Sequence, residues 1–173
     1  DGTLYESCGL YGKSTIRIVD CNTGQVILSK KIGKRLFAEG NVVQGSKVYM
    51  LTWRRKTLFV YDAKSLDSVG NMTFQTFNGQ GWGITSDGSH FIASDGSSVL
   101  TYFEIPRDSD KVLTVLKLLN VVDGTTGKPV VQINELEYVD GYIYANLWYQ
   151  DTIVKVDPAT GRVVRRFDLS GLY

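Results

Sequence analysis

Short runs of β-branched and aromatic residues, such as KVYMLTW (Lys47 to Trp53), TLFVYD (Thr57 to Asp62) and YIYANLW (Tyr142 to Trp148), alternate with polar residues between turns rich in Gly, Asp and Asn. This period of two, punctuated by turn residues, predicts strands; the 3.6-residue period of an amphipathic helix is nearly absent. The pattern also repeats. Aligned on their closing glycines Gly45, Gly88 and Gly141, the segments FAEGNVVQG, GQGWGITSDG and INELEYVDG place Glu39, Trp82 and Glu135 each six residues before the glycine. After each glycine a second strand follows, running to Trp53, Gly96 or Trp148. A third strand (STIRIVD, TLFVYD, VLTYFEI, TIVKVD) and a fourth (QVILSKK, SVGNMTF, KVLTVLKLL, RVVRRFDL) complete each unit, and the opening DGTLYESCG fits the second-strand position with Gly2 in the turn.

Four-stranded antiparallel units recurring at about 40–50 residues predict a β-propeller, because such meanders stack radially to bury their faces. The expected blades are 36–78, 79–122 and 131–171, preceded by a blade over 1–32 that lacks its inner strand, all within one domain spanning 1–173. That inner strand is expected ahead of Asp1, and a further blade beyond Tyr173. In this register the first strand of each unit starts on one face of the disc and the second returns to it. Glu39, Trp82, Glu135, Trp53 and Trp148 are therefore expected to converge around the mouth of a central channel.

Composition narrows the function classes. The chain has 173 residues, 43% hydrophobic and 21% charged, the balance of a globular domain with a real core. Its 19 basic and 18 acidic residues are interspersed and leave a net charge of +1, so no nucleic-acid partner is expected. No apolar run approaches the roughly 18 residues of a spanning helix. Cys8 and Cys21 flank one hairpin at opposite ends, several residues of about 3.3 Å apart. That exceeds the roughly 7 Å a disulfide can bridge, so two separate thiols are expected. Asn71-Met72-Thr73 is an N-glycosylation sequon. It favours a secretory, endomembrane or extracytoplasmic setting for a compartment otherwise unknown, and a monomer is expected.

Burying a carboxylate is costly unless it is paired or used. Taken singly, Glu39 or any one tryptophan reads as an ordinary strand residue. Their recurrence at equivalent positions instead predicts a pocket. Asn134 puts an amide beside Glu135, and Glu137 follows on the same side of the strand, where an ion pair with a neighbouring Arg or Lys is the alternative. His90 has no second His or Cys cluster nearby, so it is expected at the surface without zinc. Arg54-Arg55-Lys56 reads as a solvated connection and Arg165-Arg166 as outer-strand residues. Asp87, Asp140 and Asp157 read as turn residues bonding the local backbone.

The segments YESCGLYGKS, FAEGNVV, GWGITSDG, INELEYVDG and ANLWYQD, spread over the whole chain, strongly resemble the plant-type glutaminyl cyclases, or glutaminyl-peptide cyclotransferases. That resemblance implies a five-bladed propeller. It implies conversion of the N-terminal glutamine of peptides to pyroglutamate with release of ammonia. It also implies chemistry without a required cofactor, with room for a structural ion in the central channel. Residue by residue, it implies Glu39 as the acid/base group and Trp53, Trp82 and Trp148 as pocket walls. Asn134 and Glu135 match the family's Asn-Glu pair, the amide suited to a developing oxyanion and the carboxylate to the substrate amine. The family's Phe-x-Gln strand is expected before Asp1 and its last part, with a lysine, after Tyr173; Ala38 stands where the family has glycine. Two other readings compete: a calcium-dependent, lactonase-like propeller hydrolase using Glu39, Asn134 and Glu135 as oxygen ligands, and a non-catalytic propeller binding peptide or glycan on its aromatic rim.

Overall fold

The structure, a computed structural model, describes residues 2–172; Asp1 and Tyr173 lie outside the described residues. It is all-β. The first sheet contains β1 (Thr3–Cys8), β2 (Thr15–Asp20) and β3 (Val26–Lys31). The second contains β4 (Ala38–Gln44), β5 (Lys47–Thr52), β6 (Thr57–Asp62) and β7 (Ser68–Thr73). The third contains β8 (Ile84–Ser86), β9 (His90–Ala93), β10 (Val99–Glu104) and β11 (Val115–Asn120). The fourth runs from β13 (Ile133–Val139) through β14 (Tyr142–Leu147) and β15 (Thr152–Val156) to β16 (Arg162–Asp168), and adds β12 (Val122–Asp123) outside β16. The sheets form a propeller-like array of four small blades, and no fifth sheet occurs among the described residues. β12 runs parallel to β16, so the fourth sheet is not the purely antiparallel meander that the repeat predicts.

The middle strands explain why the sheets stack. Successive side chains of a strand point to opposite faces, and here both faces are covered. Along β5, Met50 joins the apolar cluster shared with the first sheet, while Leu51 joins the cluster shared with the third. Along β9, Phe91 packs toward the second sheet and Ile92 toward the fourth. Three apolar clusters thus fill the three gaps between four sheets. The fourth strands β3, β7, β11 and β16, on the outer side of each sheet, are largely exposed, as strands with one wet face should be. The strands at the other end of each sheet, β1, β4, β8 and β13, lie side by side at the centre.

Turn chemistry sets the register. β4 and β5 pair Gln44 with Lys47 around Gly45-Ser46, where Gly45 has φ +61°. β13 and β14 pair Val139 with Tyr142 around Asp140-Gly141, both at positive φ, as a type I′ hairpin turn requires. Gly45 is thus the first residue of its turn and Gly141 the second. Aligning the glycines shifts the fourth unit by one residue. In the paired register, Asn41, Ile84 and Leu136 are equivalent, facing Met50, Ala93 and Ala145. Glu39, Trp82 and Asn134 are therefore the matching set, and Gly40, Gly83 and Glu135 the next.

Cys8 and Cys21 are free: Cys8 pairs with Thr15 at one end of the β1–β2 ladder, and Cys21 follows Asp20 at the other. Asp157 accepts from the backbone of Ala159, and Asp87 from Ser89 and His90; Asp140 occupies its turn through a positive φ instead, without a side-chain bond of this kind among the described residues. His90 is half-buried and pairs with Asp87 at 3.0 Å. Asn71 is exposed on β7. Replacing Phe91, 0% exposed between two sheets, with Ala is expected to cost about 3–5 kcal/mol in urea unfolding. Val69→Ala on the outer strand, where Val69 is 55% exposed, is expected to change stability by no more than about 0.5 kcal/mol. Equal losses at the two positions would contradict a core confined to the gaps between sheets.

Candidate active site

The beginnings of the inner strands converge because two glycines let them. The Gly40 N–H donates to the Trp82 carbonyl at 2.7 Å. A β-carbon on Gly40 would lie 2.7 Å from that oxygen and 2.8 Å from Glu135 Oε2; on Gly83 it would lie 2.3 Å from the Asn134 carbonyl oxygen. Both Glu39-Gly40 and Asn134-Glu135 sit where the ladder slips by one residue, between Ala38 and Asn41 and between Ile133 and Leu136. Such bulges re-aim side chains next to functional sites.

At this junction Phe37, Glu39, Trp53, Trp82, Asn134 and Trp148 line a cavity of about 250 Å³. Five of the six residues expected at the site are gathered here. The sixth, Glu135, is not among the lining residues. Its Oε1 accepts from the backbone N–H groups of Leu136 at 3.2 Å and Ile84 at 3.3 Å, and its Oε2 rests against Gly40. Glu137 lines a separate cavity along the central channel, with Tyr5, Asn41 and Thr85. Neither glutamate has an ion pair among the described residues.

The walls of the cavity are linked aromatics. Tyr11 meets Phe37 edge-on at 5.3 Å, Phe37 meets Trp53 at 5.6 Å, and Trp82 meets Trp148 at 5.2 Å. Space for two of these rings comes from glycine. A β-carbon on Gly96 would lie 2.6 Å from the Trp82 indole, and one on Gly9 2.1 Å from the Phe37 ring. By register, Gly96 occupies in the third sheet the place that Trp53 and Trp148 hold in theirs. Gly96 and the lining role of Phe37 were not anticipated, although comparing Trp53, Gly96 and Trp148 as repeat partners contains the clue. Arg54 is exposed, yet its guanidinium stacks 3.9 Å from the Trp53 ring centre, so it is not merely a solvated connector.

Electrostatics single out Glu39. Its backbone carbonyl accepts from the Ser7 hydroxyl, but its carboxyl has no hydrogen-bond partner among the described residues. Desolvation, and secondarily the negative charge of Glu135, push its pKa from 4.5 up to about 8. Glu135 as a whole retains exposed surface, yet backbone crowds its carboxyl at Gly40 and Ile84. Desolvation raises it to about 7 despite the two backbone donors. Desolvation also raises Glu137. No group of three or more His, Cys, Asp or Glu side chains placed to hold a metal occurs among the described residues.

Fold and site define a propeller-like protein with a desolvated carboxyl group inside an aromatic cavity at the convergence of its inner strands. The chain belongs to the glutamine cyclotransferase family, whose description matches residues 1–173. It is 34% identical over 170 residues to a glutaminyl-peptide cyclotransferase of Arabidopsis thaliana, covering 98% of this chain and 50% of that protein. The chain thus spans about half the length of this curated relative. The crystal structure of Myxococcus xanthus glutaminyl cyclase superposes with a TM-score of 0.83 at 31% identity, covering 99% of this chain and 68% of that one. Kuenenia stuttgartiensis hydrazine synthase, with a TM-score of 0.53 and 15% identity over 89% of this chain and 43% of its own, shares the fold alone.

The raised pKa of Glu39 has a stability consequence. A carboxyl whose folded pKa exceeds its unfolded one stabilises the fold fully below about 4.5, and that contribution is lost as pH rises through about 8. Glu39→Gln removes the loss. The Tm of the variant relative to the native protein is expected to climb between pH 5 and pH 9, and parallel Tm–pH curves would show that Glu39 titrates normally.

Proposed function

We propose that the cavity binds the N-terminal glutamine of a peptide and that Glu39 moves the proton in its cyclisation to pyroglutamate. What carries this reading is an unpaired carboxyl raised to about 8, enclosed by three tryptophans, in a chain of the glutamine cyclotransferase family. At about 250 Å³ the cavity is smaller than the roughly 300–1,000 Å³ of drug-sized sites, which suits one amino-acid side chain with the start of the next residue outside. The five-bladed ring of the family belongs to this proposal, as does a peptide or protein substrate.

In the reaction the α-amine attacks the side-chain amide carbon, forming the lactam C–N bond. The carboxylate form of Glu39 takes a proton from the attacking nitrogen and returns it to the departing one; the C–NH₂ bond breaks and ammonia leaves. A pKa near the working pH lets one group perform both transfers. Asn134 lines the cavity and its side-chain amide has no partner among the described residues, so it is available to donate to the oxyanion. Glu135, engaged by two backbone donors outside the cavity lining, acts here on Glu39 by charge rather than as a ligand for the substrate amine.

The test is ammonia release from a glutamine-initiated dipeptide in the presence of chelator. Glu39→Gln is expected to lower kcat by roughly 10²–10⁴-fold. An unaltered kcat would refute the proton shuttle, and loss of native activity with chelator would favour a metal-dependent hydrolase. Asn134→Ala is expected to lower kcat more than it raises KM; the reverse split would make Asn134 a binding residue. The acid limb of kcat/KM should fall near pH 8, and Glu135→Gln should move it to lower pH, because removing a neighbouring negative charge eases ionisation of Glu39. An unmoved limb with a raised KM would return Glu135 to the substrate amine.

A further inference from the structure

The cavity has one tether that neither the repeat nor the family motifs point to. The Trp53 indole N–H and the Trp82 indole N–H both donate to the side-chain oxygen of Gln80, the second at 3.2 Å. An indole is a donor only, so two of them facing one amide fix which end of that amide is the oxygen. A carbonyl oxygen has two lone pairs, and both are used here. The amide nitrogen of Gln80 has no partner among the described residues.

Gln80 is itself held on both sides. The hydroxyl of Thr76, 2% exposed, donates to the Gln80 carbonyl, and the next residue, Gly81, donates its N–H to the Trp53 carbonyl at 2.9 Å. Thr52, which precedes Trp53, lies close enough that a β-carbon on Gly81 would come 3.0 Å from its carbonyl oxygen. The tether therefore spans two sheets. Trp53 directly follows β5 in the second, and Trp82 leads into β8 in the third. Trp148, 45% exposed, has no hydrogen bond to its indole nitrogen among the described residues.

We propose that Gln80 is a positioning residue: its side-chain oxygen locks the Trp53 and Trp82 indoles in one mutual orientation, fixing two walls of the glutamine pocket and leaving Trp148 as the wall that adapts. This rests on the cyclase reading of the cavity. A substrate side chain held between rigid rings keeps its amide carbon near the attacking amine, and small misplacements of such a group are costly to the rate. The lock therefore acts on kcat more than on KM.

The chain has three tryptophans and all three line the cavity, so each indole N–H resonance in a ¹⁵N-correlated NMR spectrum reports on one wall. In the native protein the Trp53 and Trp82 indole protons are expected to exchange with solvent more slowly than that of Trp148; equal exchange would overturn the proposal without any variant. In Gln80→Leu, which keeps bulk but loses the acceptor, the Trp53 and Trp82 resonances are expected to shift and Trp148 to move less. In ammonia-release assays its kcat is expected to fall roughly 10- to 100-fold with a smaller change in KM. Gln80→Glu retains an acceptor oxygen and lacks the NH₂ group, and is expected to restore slow exchange and, at its own optimal pH, most of kcat. Unmoved indole resonances in Gln80→Leu, an unchanged kcat, or failure of the glutamate variant to restore either would overturn it. Should the native protein release no ammonia, the cyclase reading fails, while the exchange measurement still decides whether Gln80 holds the two rings.

Discussion

A β-carbon at Gly83 would lie 2.3 Å from the Asn134 carbonyl oxygen, and one at Gly40 2.7 Å from that of Trp82; the site depends on neither carbon being there. Sheets in a radial stack diverge outward and crowd inward, so the inner strands meet where their backbones have least room. Glycine at two successive inner strands lets the main chains approach closely, to a direct hydrogen bond between Gly40 and Trp82, and the residue before each, Glu39 or Trp82, is turned into the space above the junction. The third inner strand has Glu135 at the matching position. Its side chain fills the junction that the glycines leave, which is why Glu135 lies beneath the cavity and Asn134 lines it.

That packing is also the source of the electrostatics. A carboxyl placed against backbone loses water on one side, and two carboxyls near one junction repel when both are ionised. Glu135 is partly compensated by two backbone donors, whereas Glu39 has none among the described residues. The less compensated group has the higher pKa, about 8 against about 7. Desolvation is the main cause for both, and the charge of Glu135 adds to the shift of Glu39. The same desolvation that costs stability above pH 4.5 brings the pKa of a cavity carboxyl close to neutral pH, where a group can both take and give a proton.

Much of this was legible in the residues. The middle strands are buried on both faces, so they read as apolar runs between turn signals, and the four-unit meander followed from their spacing. Glu39 and the three tryptophans stood out because repeat positions accumulate signal that one residue lacks. Other features left weaker traces. The one-residue slip at Glu135 arose because a glycine serves either the first or the second place of a two-residue turn, and only the partner strand tells which. Leu66 closes the β6–β7 turn at φ +53° while 1% exposed, a place where local chemistry prefers glycine but the core takes the leucine side chain. β12 is too short for periodicity to register. Gln80 lies in a connection between strands, where a polar residue is the ordinary expectation and only its two indole partners make it specific.

The aromatic cavity follows a rule that no single motif states. At the place where the second strand of each unit ends, the four sheets carry Gly9, Trp53, Gly96 and Trp148 in turn. Each glycine receives a ring from the start of an inner strand: Phe37 lies over Gly9 and Trp82 over Gly96. Four tryptophans at that level would compete for the volume that the inner-strand rings occupy, and four glycines would leave the cavity without walls. Alternation lets rings from two directions interleave, giving edge-to-face contacts at 5.6 Å between Phe37 and Trp53 and 5.2 Å between Trp82 and Trp148. Glu39 is thereby enclosed by rings belonging to three different sheets. Its desolvation is a property of how the sheets are stacked, and any change that splays two sheets apart would admit water to the carboxyl.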